Sequence, residues 1–257
     1  MIFVGSAVAA LAQSGTAGRP PAFQARYNAE WRLFDAGFGQ LEFNGQNIAR
    51  VSLESAGLVG RLYPVKDNYM SVLDSGLCTS TVSMQAEEGS RKRETLITFD
   101  KAGKKIQYKE RDLINNKTVL EKQTASPGCV HDVIGALLRL RTVNLNPGQT
   151  MTIPISDGKK LATAARVEAQ EKETIVTPAG TFQAIRYQAH LFDGVIYERK
   201  ASLFIWLTDD ARKLPVQFQV RLRFYIGTIT LRMTSPKEPA PHVDAPNTSP
   251  KPAESKK

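Results

Sequence analysis

The sequence predicts a mainly β fold: a curved antiparallel sheet or open barrel-like meander, with one helix packed on it or plugging it. Three features lead there. Apolar residues recur at every second position through most of the chain, the spacing of half-buried strands. The links between these runs are short and turn-rich, as in Asp100-Lys-Ala-Gly103, Ser156-Asp-Gly-Lys159 and Thr177-Pro-Ala-Gly180. One segment alone changes to helical spacing. Strands that follow one another through short turns favour an antiparallel meander over crossover α/β units.

Taken in order, MIFVGSAVAALAQSG is small and apolar, with Ala10-Leu11-Ala12 as an A-x-A cleavage site. Residues 1–12 read as a signal peptide, truncated because no Lys or Arg precedes the apolar run; the competing reading is a buried N-terminal strand. Residues 13–24 are a flexible lead-in and 25–234 a single β-rich domain. The expected strands are Arg26–Phe34, Phe38–Phe43, Ala49–Leu53, Tyr69–Leu73, Cys78–Met84, Thr95–Phe99, Lys104–Arg111 and Thr118–Lys122. They continue with Thr150–Ile155, Leu161–Ala169, Thr181–His190, Ala201–Leu207, Val216–Phe224 and Ile229–Met233. The last two alternate in opposite parity, which calls for a bulge, bend or tight turn at Gly227. Residues 235–257, rich in Pro, Lys, Ala and Ser, cannot bury enough to fold and are expected to be disordered.

The helix is expected over Val130–Arg141, where Val130, Val133, Ile134, Leu137 and Leu138 share one face. Gly135 weakens it by up to about 1 kcal/mol relative to Ala.

At 257 residues, 42% hydrophobic and 23% charged, the chain can build a core without staples. Its net charge of +9 favours anionic partners. Yet the densest basic run, Arg91-Lys92-Arg93, has no interleaved aromatics, and no nucleic-acid-binding signature occurs, so nucleic acid is not expected as a partner. No segment is apolar enough to span a membrane, which takes about 20 residues. Export makes the even pair Cys78 and Cys129 a disulfide; in a cytosolic protein they would be two buried thiols. Closing that loop would constrain the unfolded chain by roughly 4 kcal/mol.

FIWLTDDARKLPVQFQV sets Asp209 and Asp210 between two apolar runs. Neighbouring strand residues point to opposite faces, so the two carboxylates would not converge on a substrate. They read as a hairpin turn, with Arg212 and Lys213 as local counter-charges. Hydrolase, P-loop and zinc-protease motifs are absent. His131 beside Asp132 and His190 near Asp193 are each one His near one Asp, and His242 lies in the tail. No catalytic, cofactor-binding or metal residue is therefore assigned, and the protein reads as non-enzymatic.

PGCVHDVIGALLRLR, LNPGQTMTIPISDGKK, TPAGTFQAIRY, IWLTDDARKLPVQFQV and FYIGTITLRM, in this order, resemble the bacterial domain-of-unknown-function family 3108. The resemblance runs from about Tyr27 to Met233. It implies an exported envelope protein with a β-rich fold, and transfers no catalytic residues.

Two functional readings follow. The first is a periplasmic or otherwise exported envelope protein whose curved sheet binds a lipid, an acyl chain or an envelope partner. Its candidate face is Leu203, Phe204, Ile205, Trp206 and Leu207, a strand apolar on both sides. The competing account of that strand is that other layers cover both its faces. The second reading is a hydrolase or binding domain for an anionic envelope polymer, with Lys and Arg gathered round a cleft.

Overall fold

A computed structural model describes residues 18–32, 34–222 and 227–237. The expected signal peptide, residues 13–17 of the expected lead-in, Leu33, Arg223 and Phe224 of expected strands, and residues 238–257 of the tail lie outside these described residues.

Among the described residues, fourteen strands form one antiparallel sheet. They are β1 (Phe23–Trp31), β2 (Phe34–Phe43), β3 (Ile48–Ser55), β4 (Val65–Leu73), β5 (Thr79–Glu88), β6 (Arg91–Asp100), β7 (Lys105–Asp112) and β8 (Lys117–Ala125). After the long helix come β9 (Thr150–Ser156), β10 (Leu161–Thr177), β11 (Gly180–Ala189), β12 (Ser202–Thr208), β13 (Pro215–Arg221) and β14 (Thr228–Lys237). The order across the sheet is β8-β7-β6-β5-β4-β3-β2-β1-β14-β13-β12-β11-β10-β9. Two meanders are thus joined by the pairing of β1 with β14, and the sheet is open, with β8 and β9 as its edges. The helices are α1 (Gly57–Leu62), between β3 and β4, and α2 (Val133–Leu140), between β8 and β9.

Each expected strand is present within the described residues, except that the first ends at Trp31, before a turn at Arg32 with φ +50°, and Phe34 opens the next strand. β14 runs to Lys237, past the expected start of the tail. At the β13–β14 link Gly227 has φ +93°, and Leu222 N–H donates to its carbonyl at 3.0 Å. Phe218 and Leu231 then pair directly, as do Val220 and Ile229, so the link accounts for the change of parity.

Two differences have physical causes. β10 extends to Thr177 instead of Ala169, through a register shift between Ala169 and Lys172. Its polar run Gln170–Glu173 hides the strand because Gln170, Glu171 and Glu173 are held by Arg186 on the neighbouring strand. α1 is too short to show a period, buries none of its residues and has no side-chain cap.

The curved sheet is drawn round by a strap and a turn. Val130 carbonyl accepts from Thr79 N–H at 2.9 Å, and His131 exchanges bonds with Pro154 and Ser156 at 2.9 Å, forming a parallel bridge to Ile155. These residues, expected in the helix, are spent on the sheet, which is why α2 begins only at Val133. The Cys78–Cys129 disulfide ties the strap to the start of β5, with Cα atoms 5.2 Å apart. In the β9–β10 turn Gly158 has φ +86°, and a Cβ there would stand 2.7 Å from Tyr108 Cδ2 and 3.0 Å from Ile97. Only glycine lets this turn come so close to β6 and β7.

Candidate functional site

The site grows from one carboxylate. Asp132 caps α2, accepting from the N–H groups of Ile134 and Gly135 at 3.1 Å. It also accepts from the hydroxyls of Tyr69 (2.6 Å), Ser71 (2.8 Å) and Thr79 (2.6 Å) on β4 and β5. A buried charge is tolerated when its lone pairs are filled in this way. Burial, then the Asp132 charge, push the Tyr69 hydroxyl well above its ordinary pKa, so it remains a donor. At the other end of α2, buried Arg141 donates to the carbonyls of Lys213 and Arg212 at 2.9 Å and lies 4.1 Å over the Phe23 ring. Burial lowers its pKa to about 10, and it stays charged. The helix is therefore pinned at both ends across the hollow of the sheet.

Between α2 and the sheet lies a cavity of about 230 Å³. Its walls are Val133, Ile134, Ala136, Leu137 and Leu140 of the helix, with Leu41, Val51, Ile153, Val167, Leu203, Ile205, Phe218 and Leu231 of the sheet. Tyr27 and Gln40 complete the wall, and the Tyr27 hydroxyl is given to the Pro215 carbonyl at 2.7 Å. Val51, Leu53, Val133 and Ile134 also line a second compartment of about 360 Å³. Its lining adds Met84, Ile97, Tyr69, Tyr108 and Tyr197, with Asp67, Asp157 and Lys159 as charged members. Lys159 Nζ stands 5.3 Å from the centre of the Tyr108 ring. Burial, with the nearby Glu88 charge, raises the Asp67 pKa to about 6, and its Oδ1 has no hydrogen-bond partner among the described residues. Burial and the Asp157 charge push Tyr197 up to about 12. The two hollows thus share four wall residues; the first is lined almost wholly by apolar groups, and the second adds tyrosines and three charged side chains.

The five residues of the candidate apolar strand divide by face. Leu203 and Ile205 line the chamber, and Leu207 is buried in the main core. Phe204 and Trp206 occupy the other side: Arg221 and Arg186 lie 4.6 Å and 5.7 Å from the Phe204 ring, and Trp206 Nε1–H donates to Glu173 at 3.0 Å. Cover on both faces accounts for a strand apolar on both faces.

The carboxylates of the β12–β13 turn diverge. Asp210 accepts from the Thr208 hydroxyl at 2.7 Å and from the Arg212 and Lys213 N–H groups, and binds the Arg212 guanidinium at 2.7 Å. Asp209 pairs with Lys172 at 2.7 Å. The His131 ring donates from Nδ1 to the Leu77 carbonyl at 2.8 Å, and its Nε2 lies 3.8 Å from Cys129 Sγ; the Asp132 carboxylate is engaged elsewhere. The His190 ring faces Arg166 and Glu168, not Asp193. Among the described residues no three His, Cys, Asp or Glu side chains converge as metal ligands, and no helix is long and apolar enough to cross a membrane.

Sequence reasoning did not assign a role to Asp132 as the seat of the helix, nor to Val133, Ile134 and Leu137 as cavity wall. An Asp immediately before an apolar helical run is an N-cap signal that could have found the first. The cavity wall carries no signal of its own, because a lining leucine and a packed leucine look alike in sequence.

No curated protein matches the sequence. A β-barrel-like protein of domain of unknown function DUF1849 from Brucella abortus is similar in structure, with 8% identity and a TM-score of 0.57 over 85% of this chain and 98% of that one. At that identity the likeness concerns the fold alone. A DUF1089 family protein from Pseudomonas aeruginosa shares 13% identity with a TM-score of 0.39, over 72% of this chain and 90% of that one. The model of one family covers residues 26–234, nearly all of the two-meander sheet with both helices, and the chain belongs to that family, DUF3108, a family of unknown function.

Proposed function

We propose that this is an exported envelope protein that holds an apolar ligand, an acyl chain or lipid tail, in the chamber between α2 and the sheet. The observation that carries this reading is the chamber itself: an almost wholly apolar space, walled by a helix pinned at both ends, beside a second hollow that shares four of its wall residues. A space of this kind gains little from water and takes up apolar groups readily. The Cys78–Cys129 disulfide and the signal-like residues 1–12 support export. A cleft for an anionic polymer has less support. The polar hollow that contains Arg19, Arg141 and Lys213 also contains Asp209 and Asp210, so two carboxylates offset most of its positive charge.

Organic extraction of the purified protein followed by mass spectrometry tests the reading, together with titration of a fluorescent fatty acid. Bound lipid and saturable probe uptake are expected, and Leu203→Trp, which fills the chamber from its half-buried wall, should abolish both while the fold is retained. Protein that is free of lipid and indifferent to the probe would sink the proposal.

A further inference from the structure

We propose that the polar hollow walled by Arg141 and Lys213, beside the β12–β13 turn, binds a small oxyanion, a carboxylate or a phosphate. This hollow of about 640 Å³ shares no wall residue with the apolar chamber, so the inference does not rest on the chamber reading. Its walls carry three cations, Arg19, Arg141 and Lys213, with Asp209, Asp210 and Asn144.

None of the three cations has an acidic ion-pair partner among the described residues; carbonyls hold them instead. Arg19 donates to the carbonyls of Gln46 and Asp74, Arg141 to those of Arg212 and Lys213, and Lys213 Nζ to that of Val143. The two carboxylates are paired with cations from outside the walls: Asp209 with Lys172 and Asp210 with Arg212, both at 2.7 Å. Arg141 is the telling case. It is only 3% exposed, and its Nη1 has no hydrogen-bond partner among the described residues. The ionisable group that acts on it is Tyr27, a phenol that burial keeps neutral. A buried guanidinium with no counter-charge and a donor left over is a costly arrangement. An oxyanion in the hollow supplies the charge that it lacks.

Lys213 points the same way. Its backbone has φ +44°, a left-handed conformation that glycine and asparagine adopt more readily. Strain of this kind gathers where a side chain is put to use. Burial holds the Lys213 ammonium below its ordinary pKa, and the Asp209 charge opposes this only in part. A long polyanion would meet Asp209 and Asp210 as well, so the wall of Arg141 and Lys213 suits a small anion better.

Isothermal titration of the full chain with inorganic phosphate and with citrate, each against sodium chloride at matched ionic strength, tests the proposal. Saturable uptake of at least one is expected, and the tighter of the two names the class. Lys213→Asn suits the same backbone conformation without the ammonium. It should bind about tenfold or more weakly, with an unfolding midpoint near the parent's. Asp209→Asn removes the carboxylate that acts on Lys213 and should tighten uptake, a gain that damage to the fold does not produce. Arg91→Gln, which removes an exposed cation from β6, and Leu203→Trp in the chamber should leave uptake unchanged. No uptake of either anion, uptake that chloride reproduces, or equal uptake by the parent and Lys213→Asn overturns the proposal. So does unchanged uptake by Asp209→Asn, which decides the matter if Lys213→Asn does not fold. Anion uptake by a protein indifferent to the fatty-acid probe fails only the chamber reading, and probe uptake without anion uptake fails only this one.

Discussion

Replacing Gly135 by Ala sets two physical effects against each other. In an isolated helix the change is favourable by up to about 1 kcal/mol, because glycine loses more backbone entropy. In the folded protein the new Cβ would stand 2.9 Å from Asp132 Oδ1, 2.9 Å from Thr79 Oγ1 and 3.1 Å from Leu73 Cδ2. The two oxygens cannot simply step aside, since they are hydrogen-bonded to each other at 2.6 Å and fix the helix N-terminus. Overpacking of this kind costs about 1–3 kcal/mol, and each weakened bond to the carboxylate costs about 1.5–3 kcal/mol if it is lost. The unfavourable side wins, and a net loss of about 2 kcal/mol is expected. Urea unfolding of the oxidised protein should show a midpoint lower by roughly 1 M at unchanged slope. Thr79→Ala removes one of the crowding atoms, so the Gly135→Ala penalty should shrink in that background, a coupling that a double-mutant cycle measures. A Gly135→Ala protein as stable as the parent, or more so, would refute this account of why glycine stands in the helix.

Three further outcomes follow from the same contacts. Asp210→Ala should cost about 1–2 kcal/mol, because the carboxylate organises the turn as a cap would, whereas Asp209→Ala breaks one exposed ion pair and should cost no more than about 0.5 kcal/mol; equal effects in thermal unfolding would contradict the divergence of the two side chains. Reducing Cys78–Cys129, which closes a loop of sequence separation 51, should remove roughly 4 kcal/mol in the chain-entropy account, and an unchanged unfolding midpoint in reductant would count against it. The raised pKa of Asp67 means that the folded state holds a proton more tightly than the unfolded chain, so its contribution is full below about pH 4 and is lost as pH rises through about 6. Asp67→Asn should therefore leave stability at pH 4 unchanged and raise it above pH 6, by on the order of 1 kcal/mol after allowance for solvent screening; stabilisation at low pH instead would reverse the assignment.

The sequence by itself determined the strands, their antiparallel sense and the presence of one substantial helix, because period-two alternation and turn chemistry are local properties. It also placed Asp209 and Asp210 in a turn and made Cys78 and Cys129 natural partners. Three things were decided only by tertiary structure. Val130 and His131 fit a helical face, but their backbone groups are taken by Thr79, Pro154 and Ser156, so the helix starts later. Gly135 looks like a flaw in the helix, and packing against Asp132 and Thr79 makes it a requirement. Leu203 and Ile205 cannot be told from Phe204 and Trp206 by hydrophobicity. Sheet curvature and the pinned helix α2 leave space beside the first pair, while arginine and glutamate side chains cover the second. Alternation along a strand says which residues share a face. Whether that face meets a packed neighbour or a hollow depends on elements far away in the chain, and no local pattern encodes it.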